Sequence, residues 1–407
     1  MPLDRITEVL EAHVANLEGM GTAKGSEKVV TRVIPPTGEM GPRFNLDGEG
    51  DRAFIRMNSN SYLGMSLRPE IMKAEEEGTA KYGAGPGAVR FISGTYDVHL
   101  ELERALATFH SREDAMLFSS AYATIMGTIS PLITPDTAII SDELNHNCII
   151  NAIRLSRPKE KVVYPHLDMG ALEKSLEKSK GTARRAVVIT DGIFSMRGDH
   201  APMDEIVALA RKHDQGYPEN VVVVMDDSHG VGAFGETGRG TEEYTSAPPV
   251  DILVGTLGKA FGVNGGYLTS NGTVIRFLRE SAPFYIYSNP VTPGEAMAAL
   301  ASLMLLDSSE GRKLLAHLRA MTSRFEAGLG KLGMETIPGE HPVVPLMVRD
   351  TGRTRALVAH LYANGVLATG LAYPVVPKGD EEIRFQINAA HTEADIDDVL
   401  AVLKSAP

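Results

Sequence analysis

The feature that most limits the possible folds is an alternation of short apolar runs with helical patterns from about residue 110 onwards. The apolar runs have the length of buried strands and cover residues 115–118, 137–141, 162–164, 186–190, 221–225 and 252–255. Between the fourth and fifth runs, Pro202 opens a segment with Ile206 and Leu209 in helical register. Repeated strand–helix–strand units of this kind predict an α/β fold with a mainly parallel, doubly wound sheet.

The remaining segments of the chain have different patterns, and a length of 407 residues suits two packed domains. Residues 3–17 predict an amphipathic helix that ends at Gly19 and Gly21, and residues 22–54 predict extended or loop structure. After about residue 295 the pattern predicts a smaller α+β domain, whose last helix begins with a capping box of Thr392 and Asp395. We therefore predict an N-terminal segment (1–54), a large domain (55–295) and a small C-terminal domain (296–407).

Composition excludes several classes of partner. The chain has 52 acidic and 40 basic residues, and the resulting net charge of −12 argues against nucleic acid as the main partner. Because Cys148 is the only cysteine, no intrachain disulfide and no cysteine-based metal site can form, and we expect no metal ion. The N-terminus does not have the pattern of a signal peptide, and no apolar run approaches the roughly 20 residues needed to span a bilayer. We therefore predict a cytoplasmic protein that does not act at a membrane.

Two carboxylates follow the apolar run 221–225, in the segment Asp226–His229. In doubly wound sheets, ligands bind at the carboxyl ends of the strands, and a carboxylate buried there needs a partner. A protonated pyridine nitrogen would be such a partner, and this pairing would keep pyridoxal 5′-phosphate (PLP) electron-poor. The alternative, about equally consistent with this segment alone, is a surface turn in which Asp226 caps the backbone.

A lysine follows the next predicted strand, in the segment 256–262. Small and apolar neighbours can desolvate Lys259, and desolvation makes an amine a usable nucleophile towards a carbonyl group. Most Gly-Lys pairs in loops are surface residues, so this signal is weak on its own. Its specificity comes from the Asp-x-x-His segment about thirty residues earlier.

Three further segments are candidates for ligand contact. His146 follows the run 137–141 and could stack on a flat cofactor, although a lone histidine is more often structural. Residues 119–122 precede a helical stretch, where free amides can bind phosphate, although Ser120 could equally be an ordinary N-cap. The glycine-rich segment 83–87 lacks a preceding strand, so we reject a dinucleotide site there.

Together these positions resemble the α-oxoamine synthases, which are fold-type I PLP-dependent transferases. The resemblance runs from about Asn60 to about Lys404 and is closest to the branch of the 2-amino-3-ketobutyrate CoA ligases. It is carried by the following segments: NSYLG (60–64), VRFISGT (89–95), SDELNHNCII (141–150), TDGIFSM (190–196), DDSHGVG (226–232), GRG (238–240), GTLGKAFG (255–262), YSNP (287–290), YPVVPKG (373–379) and IRFQINAAHT (383–392).

The resemblance implies a role for each matching residue. Lys259 would hold PLP as a Schiff base and move protons at the substrate α-carbon. Asp226 would pair with the pyridinium nitrogen, His229 would contact the phenolic oxygen, and His146 would stack on the ring. The other implied contacts are Ala121, Tyr122 and Thr256 with the phosphate, Ser195 near the ring, Ser288 and Asn289 with the cofactor of a neighbouring subunit in a homodimer, and Arg384 and Asn60 with the substrate.

The implied reaction condenses glycine, or another small amino acid, with an acyl-CoA, with acetyl-CoA as the first candidate, and releases free CoA. Three alternatives stay open: another branch of the family with a different amino acid or acyl donor, a PLP-dependent aldolase or aminotransferase on the same fold, and a non-catalytic protein that kept the fold. The residues at Ser61, Pro86 and positions 121–124 depart from the family pattern. These departures leave the acyl donor open.

Overall fold

The computed structural model describes residues 3–20, 22–23, 25, 27–373 and 375–406. Gly21, which we predicted to help end the first helix, and Pro374 of the YPVVPKG segment lie outside the described residues. The strands are β1 Val30–Ile34, β2 Arg43–Leu46, β3 Ile55–Arg56, β4 Asp114–Phe118, β5 Thr137–Asp142, β6 Glu160–Tyr164, β7 Arg185–Asp191, β8 Val221–Asp226, β9 Ile252–Thr256, β10 Gly266–Ser270, β11 Val343–Met347, β12 Val366–Leu367, β13 Thr369–Leu371 and β14 Glu382–Gln386.

The helices alternate with these strands over much of the chain. They are α1 Asp4–Gly19, α2 Pro69–Tyr82, α3 Asp97–Phe109, α4 Ala121–Leu132, α5 Asn147–Leu155, α6 Met169–Ser179, α7 Met203–His213, α8 Thr241–Thr245, α9 Gly272–Ser281, α10 Pro283–Ile286, α11 Pro293–Leu306, α12 Ser309–Lys331, α13 Thr351–Ala363 and α14 Glu393–Lys404. Within the described ranges, no helix is both long enough and apolar enough to cross a membrane.

The internal contacts divide the chain into two compact units. The first, which we call the sheet unit, contains Asn60–Ala320 and Gly339–Pro342. The second, the terminal unit, contains the chain up to Ser59, Met321–Pro338 and the chain from Val343 onwards. The N-terminal residues are thus grouped with C-terminal ones, and the predicted domain boundaries at residues 54 and 295 stay a prediction.

A seven-stranded sheet forms the centre of the sheet unit, in the order β4-β10-β9-β8-β7-β5-β6. Among the described strands of this sheet, β10 alone runs in the direction opposite to the others. The mainly parallel sheet confirms the predicted fold class. All six predicted strands form, each within two residues of its predicted bounds. In five of them the β-branched and apolar residues are buried in the core, whereas β6 lies at the sheet edge with Val163 exposed.

The terminal unit contains three smaller sheets. β11, β14 and β13 form an antiparallel sheet, β3 pairs with β12, and β1 pairs with β2. The segment 22–54, predicted to be extended or loop, thus contributes two short strands. At the start of α14, the side chain of Thr392 accepts from the Asp395 amide at 3.1 Å and the Asp395 side chain accepts from the Thr392 amide at 2.9 Å, as predicted.

Candidate active site

The carboxyl ends of four neighbouring parallel strands bring most of the predicted residues to one cavity in the sheet unit. The segments after β5, β7, β8 and β9 supply His146, Ser195, His229 and Lys259. The described residues that line the cavity are Ala121, Tyr122, His146, Cys148, Asp191, Ile193, Ser195, Asp226, Ser228, His229 and Lys259. The doubly wound topology explains the convergence, because parallel strands end at the same edge of the sheet.

Asp226 is the last residue of β8, and it is buried. One carboxylate oxygen, Oδ1, accepts a hydrogen bond from the Ser228 amide at 3.1 Å, which stabilises the turn after the strand. The other oxygen, Oδ2, lies 3.6 Å from Sγ of Cys148. The side chain therefore caps a turn and lines the cavity at the same time.

His146 caps the N-terminus of α5, where its Nδ1 accepts from the Cys148 amide at 3.3 Å. Its backbone amide donates to Oδ2 of Asp191 at 2.9 Å. Burial lowers the pKa of His146; the negative charge of Asp226 opposes this effect and the positive charge of Lys259 adds to it. The imidazole is consequently neutral at pH 7, which suits a ring that stacks rather than one that pairs with an anion.

Asp191 is a buried residue of the cavity that the sequence analysis did not single out. Burial raises its pKa well above the usual range, and the nearby charge of Asp226 raises it further. Asn145, in the segment after β5, bonds to the backbone of β7: its Oδ1 accepts from the Asp191 amide at 2.8 Å and its Nδ2 donates to the Ile189 carbonyl at 2.9 Å. By accepting from the His146 amide, Asp191 fixes the backbone at that residue. Its position at the end of β7 is the sequence signal from which its place in the cavity could have been predicted.

His229 is held through both its ring and its backbone. Its Nδ1 lies 2.6 Å from the Tyr62 hydroxyl, and its carbonyl oxygen accepts from Nε2 of His341 at 2.9 Å. Neither Tyr62 nor His341 was predicted to contribute to the site. The two residues lie far from His229 in the sequence, so only the folded chain brings the three together.

Lys259 lies in the turn after β9 and is partly buried. The Gly262 amide donates to its carbonyl oxygen at 3.0 Å. Gly262 has a φ of +74°, and a Cβ at this position would lie 2.4 Å from the Ser66 amide nitrogen. The turn that carries Lys259 therefore requires glycine at position 262.

The predicted phosphate-binding residues differ in their surroundings. Ser120 caps α4 by accepting from the Ala123 amide at 3.1 Å, so the amides of Ala121 and Tyr122 stand at the first turn, ahead of the intrahelical hydrogen bonds. A Cβ on Gly266 would lie 2.3 Å from the Ala121 nitrogen, so β10 packs tightly against this helix start. The Thr256 hydroxyl instead donates to the Gly265 carbonyl at 3.2 Å and accepts from the Gly258 amide at 3.1 Å.

The other predicted site residues lie outside the lining of this cavity. Ser288 and Asn289 follow α10, partly buried and exposed respectively. Asn60 is partly buried, and its Oδ1 lies 3.5 Å from the Tyr62 hydroxyl. Arg384 belongs to the terminal unit, where it pairs with Pro345 and Thr369 across the sheet.

Comparison with known proteins identifies the family. Residues 52–403 match the family model of class I and II aminotransferases. The human protein named 2-amino-3-ketobutyrate coenzyme A ligase, mitochondrial, is 38% identical over 97% of this chain and 90% of its own length. The 8-amino-7-oxononanoate synthase of Thermosipho melanesiensis is 39% identical over 86% of this chain and 87% of its own length. The structure of a Sphingomonas wittichii serine palmitoyltransferase superposes with a TM-score of 0.88 at 28% identity and covers 99% of this chain and 97% of its own.

The chain belongs to the α-oxoamine synthases. The family is PLP-dependent, and a second similar solved structure, 26% identical with a TM-score of 0.85, is that of a serine palmitoyltransferase with PLP. The resemblance stated from the motifs is thereby confirmed, as are the fold-type I transferase fold, the class of enzyme and the cofactor.

The side chains of the cavity fit PLP. A buried carboxylate at a strand end suits a protonated pyridine nitrogen, first-turn amides of a helix suit a phosphate, and an amine in a glycine-bounded turn suits an aldehyde carbon. This α-oxoamine synthase has each of these groups, in Asp226, the α4 N-terminus and Lys259. A side chain at position 266 would clash with the Ala121 amide nitrogen, so the close packing of β10 against the start of α4 requires glycine there.

Proposed function

We propose that this chain condenses glycine, or another small amino acid, with an acyl-CoA, of which acetyl-CoA is the first candidate. The observation that carries the proposal is the meeting of Lys259, Asp226, His146 and His229 in one cavity. The names of the human, bovine and mouse relatives, each a 2-amino-3-ketobutyrate coenzyme A ligase at 37–38% identity, support glycine chemistry with a coenzyme A thioester. Bound PLP supplies an electron sink for the negative charge that develops at the α-carbon.

Lys259 has two tasks in this proposal. Its amine would hold the cofactor covalently before the amino acid binds, and with the amino acid bound the same amine would accept the proton that leaves the α-carbon. The α-carbon then forms a bond to the thioester carbonyl carbon, the carbon–sulfur bond breaks, and CoA leaves as the thiolate, which takes up a proton from solvent to give the thiol. Arg384 binds the amino-acid carboxylate during these steps, a task suited to the planar guanidinium group, and Asn60 is a further substrate-binding residue.

The remaining residues hold the cofactor in place. Asp226 would accept the hydrogen bond of the pyridine nitrogen, His146 would stack on the ring, and His229 would contact the phenolic oxygen. The first-turn amides of Ala121 and Tyr122 bind the phosphate, with Thr256 beside them, and Ser195 lies near the ring.

We further propose a homodimer in which Ser288 and Asn289 of each subunit reach the cofactor of the other. Apolar side chains at the surface of the sheet unit support a second copy as the partner, since Phe91, Ile92 and Tyr287 are 65%, 64% and 79% exposed. The cytoplasm remains the proposed compartment, although the names of the mammalian relatives place those proteins in mitochondria.

The proposal is tested by thiol release from a panel of acyl-CoAs, with glycine, alanine and serine each as co-substrate. We expect the fastest release with acetyl-CoA and glycine. Fastest release with a longer acyl chain would move the protein to another branch, a choice left open by the 39% identity to an 8-amino-7-oxononanoate synthase. No release from any pair would contradict the proposal, and release of carbon dioxide would show that the product loses its carboxylate.

A lysine variant tests the central residue. Lys259→Ala should abolish thiol release and the covalent label that borohydride reduction leaves at position 259, while circular dichroism stays unchanged. Lys313→Ala is the matched control, because this lysine is exposed and pairs only with Glu310 among the ion pairs of the described chain. An unchanged rate in Lys259→Ala would remove the role of that residue.

A further inference from the structure

His229 is immobilised by residues that have no place in the proposed reaction. Its Nδ1 lies 2.6 Å from the Tyr62 hydroxyl, and both side chains are buried. A phenol is a stronger acid than a neutral imidazole N–H, so the hydroxyl donates and Nδ1 accepts. In this arrangement a neutral ring carries its proton on Nε2.

His341 holds the same residue by its backbone. Burial lowers the pKa of His341 to about 4, so its ring is neutral at pH 7. Since a carbonyl oxygen can only accept, Nε2 of His341 donates to the His229 carbonyl at 2.9 Å. The ring of His341 meets the ring of Tyr62 edge-on, with centroids 5.4 Å apart, and packs against Phe234 at 5.7 Å.

We propose that Tyr62 and His341 are positioning residues that fix the orientation and the tautomer of His229 towards the cofactor. The inference rests on the proposed contact between His229 and the phenolic oxygen of PLP. With Nδ1 bound to Tyr62, that contact is made by Nε2, which carries a proton and therefore donates. A hydrogen bond donated to the phenolic oxygen favours its deprotonated form, so the pair tunes the electronic state of the bound cofactor.

The inference also gives the NSYLG segment a physical role. Tyr62 is separated from His229 by 167 positions in the sequence, yet its exposed fraction is 0% and its hydroxyl reaches the cavity lining through one hydrogen bond. A buried hydroxyl must be hydrogen-bonded to avoid a desolvation cost, so Tyr62 and His229 constrain each other. Removal of the hydroxyl should change the cofactor more than it changes the fold.

The experiment compares Tyr62→Phe with Tyr267→Phe. Tyr267 is the matched control, because it is equally buried and its hydroxyl also bonds a buried histidine, at 2.9 Å from Nε2 of His110. The readouts are the dissociation constant of PLP, from titration of apoprotein, and the ratio of the visible absorption bands of the bound cofactor at one fixed pH. His229→Asn serves as the reference, because it removes the proposed contact itself.

We expect Tyr62→Phe to shift the band ratio in the same direction as His229→Asn and to weaken PLP binding by roughly 2- to 10-fold, the loss of one hydrogen bond. Tyr267→Phe should leave both readouts at the wild-type values. If Tyr62→Phe matches Tyr267→Phe while His229→Asn shifts the bands, the inference is overturned and the role of His229 stands. If His229→Asn also leaves the bands unchanged, the inference falls together with that role.

A second variant keeps the test independent of folding. Should circular dichroism show that Tyr62→Phe does not fold, His341→Gln replaces it, since this change removes the neutral imidazole behind the His229 carbonyl and leaves Tyr62 intact. A shift of the band ratio in His341→Gln supports the inference. Wild-type bands in folded, PLP-loaded His341→Gln would overturn it.

Discussion

A buried carboxylate in the sheet unit allows a sharp prediction about stability. Glu103 of α3 accepts from both terminal nitrogens of Arg90 at 3.1 Å, from Arg279 at 3.1 Å and from the Leu117 amide at 3.0 Å. The side chains of Glu103 and Arg90 are each 3% exposed. This carboxylate joins the VRFISGT segment to β4, and β4 leads directly into the proposed phosphate-binding turn.

The change Glu103→Gln removes the negative charge and turns an amide NH₂ group towards guanidinium donors. It leaves the Arg90 charge buried without its counter-ion, and breaking a buried pair in this way costs about 3–5 kcal/mol. Unfolding entropy is about 2.1 cal/mol/K per residue, which gives roughly 0.55 kcal/mol/K for a unit of some 260 residues. The expected fall in the thermal midpoint of the sheet unit is therefore about 5–9 °C.

The measurement is differential scanning calorimetry of the PLP-loaded wild type and variants at one pH. Glu310→Gln is the matched control, because it removes the same charge from an exposed pair: the side chains of Glu310 and Lys313 are 46% and 74% exposed. This change should shift the midpoint by less than about 2 °C. If Glu103→Gln lowers the midpoint no more than Glu310→Gln does, the buried network contributes nothing and the reasoning is refuted.

Two further predictions concern pH and substrate binding. Burial opposes a charged His166, but hydrogen bonds to Asp142 at 3.0 Å and Asp199 at 3.2 Å outweigh it and raise the pKa of His166 to about 9. Because the folded pKa lies above the unfolded value of about 6.5, charged His166 contributes stability that is complete below pH 6.5 and is lost as the pH rises through 9. After allowance for solvent screening, this stabilisation is about 1–2 kcal/mol. The difference in thermal midpoint between wild type and His166→Gln should therefore shrink between pH 7 and 10. Arg384→Ala should raise KM for the amino acid about 10- to 100-fold in thiol-release kinetics, since it removes a charged hydrogen-bond partner. Arg353 is exposed, and Arg353→Ala should leave KM unchanged. An unchanged KM in Arg384→Ala would make Arg384 structural.

The sheet could be predicted because its strands are specified locally. β8 reads VVVVMD, and both faces of such a strand must be covered, which a parallel sheet between helices provides. β10 was not predicted, because GYLTS is as long as its neighbours β4 and β9 but lacks their apolar run, and its antiparallel pairing with them depends on the intervening turn. Local pattern thus indicates a strand where the residues themselves are apolar, and it misses a strand such as β10, which is buried throughout but contains glycine, threonine and serine.

The catalytic cavity could be predicted only in part, for a related reason. Asp226, His146 and Lys259 follow apolar strands, so the rule for strand ends places them together. Asp191 satisfies the same rule but reads as part of an unremarkable Thr-Asp-Gly turn. Tyr62 and His341 satisfy no such rule, because their contacts with His229 join residues separated by more than a hundred positions.

Asp226 shows why the two interpretations of its segment could not be separated by sequence. One interpretation made it a cap on a turn and the other a buried partner for a ligand, as if each excluded the other. A carboxylate has two oxygens with several acceptor positions, and here Oδ1 accepts the Ser228 amide while Oδ2 faces the thiol of Cys148. The cap orients the carboxylate, and an oriented carboxylate needs no reorganisation when a cationic ring nitrogen binds, so the structural bond contributes to the proposed function.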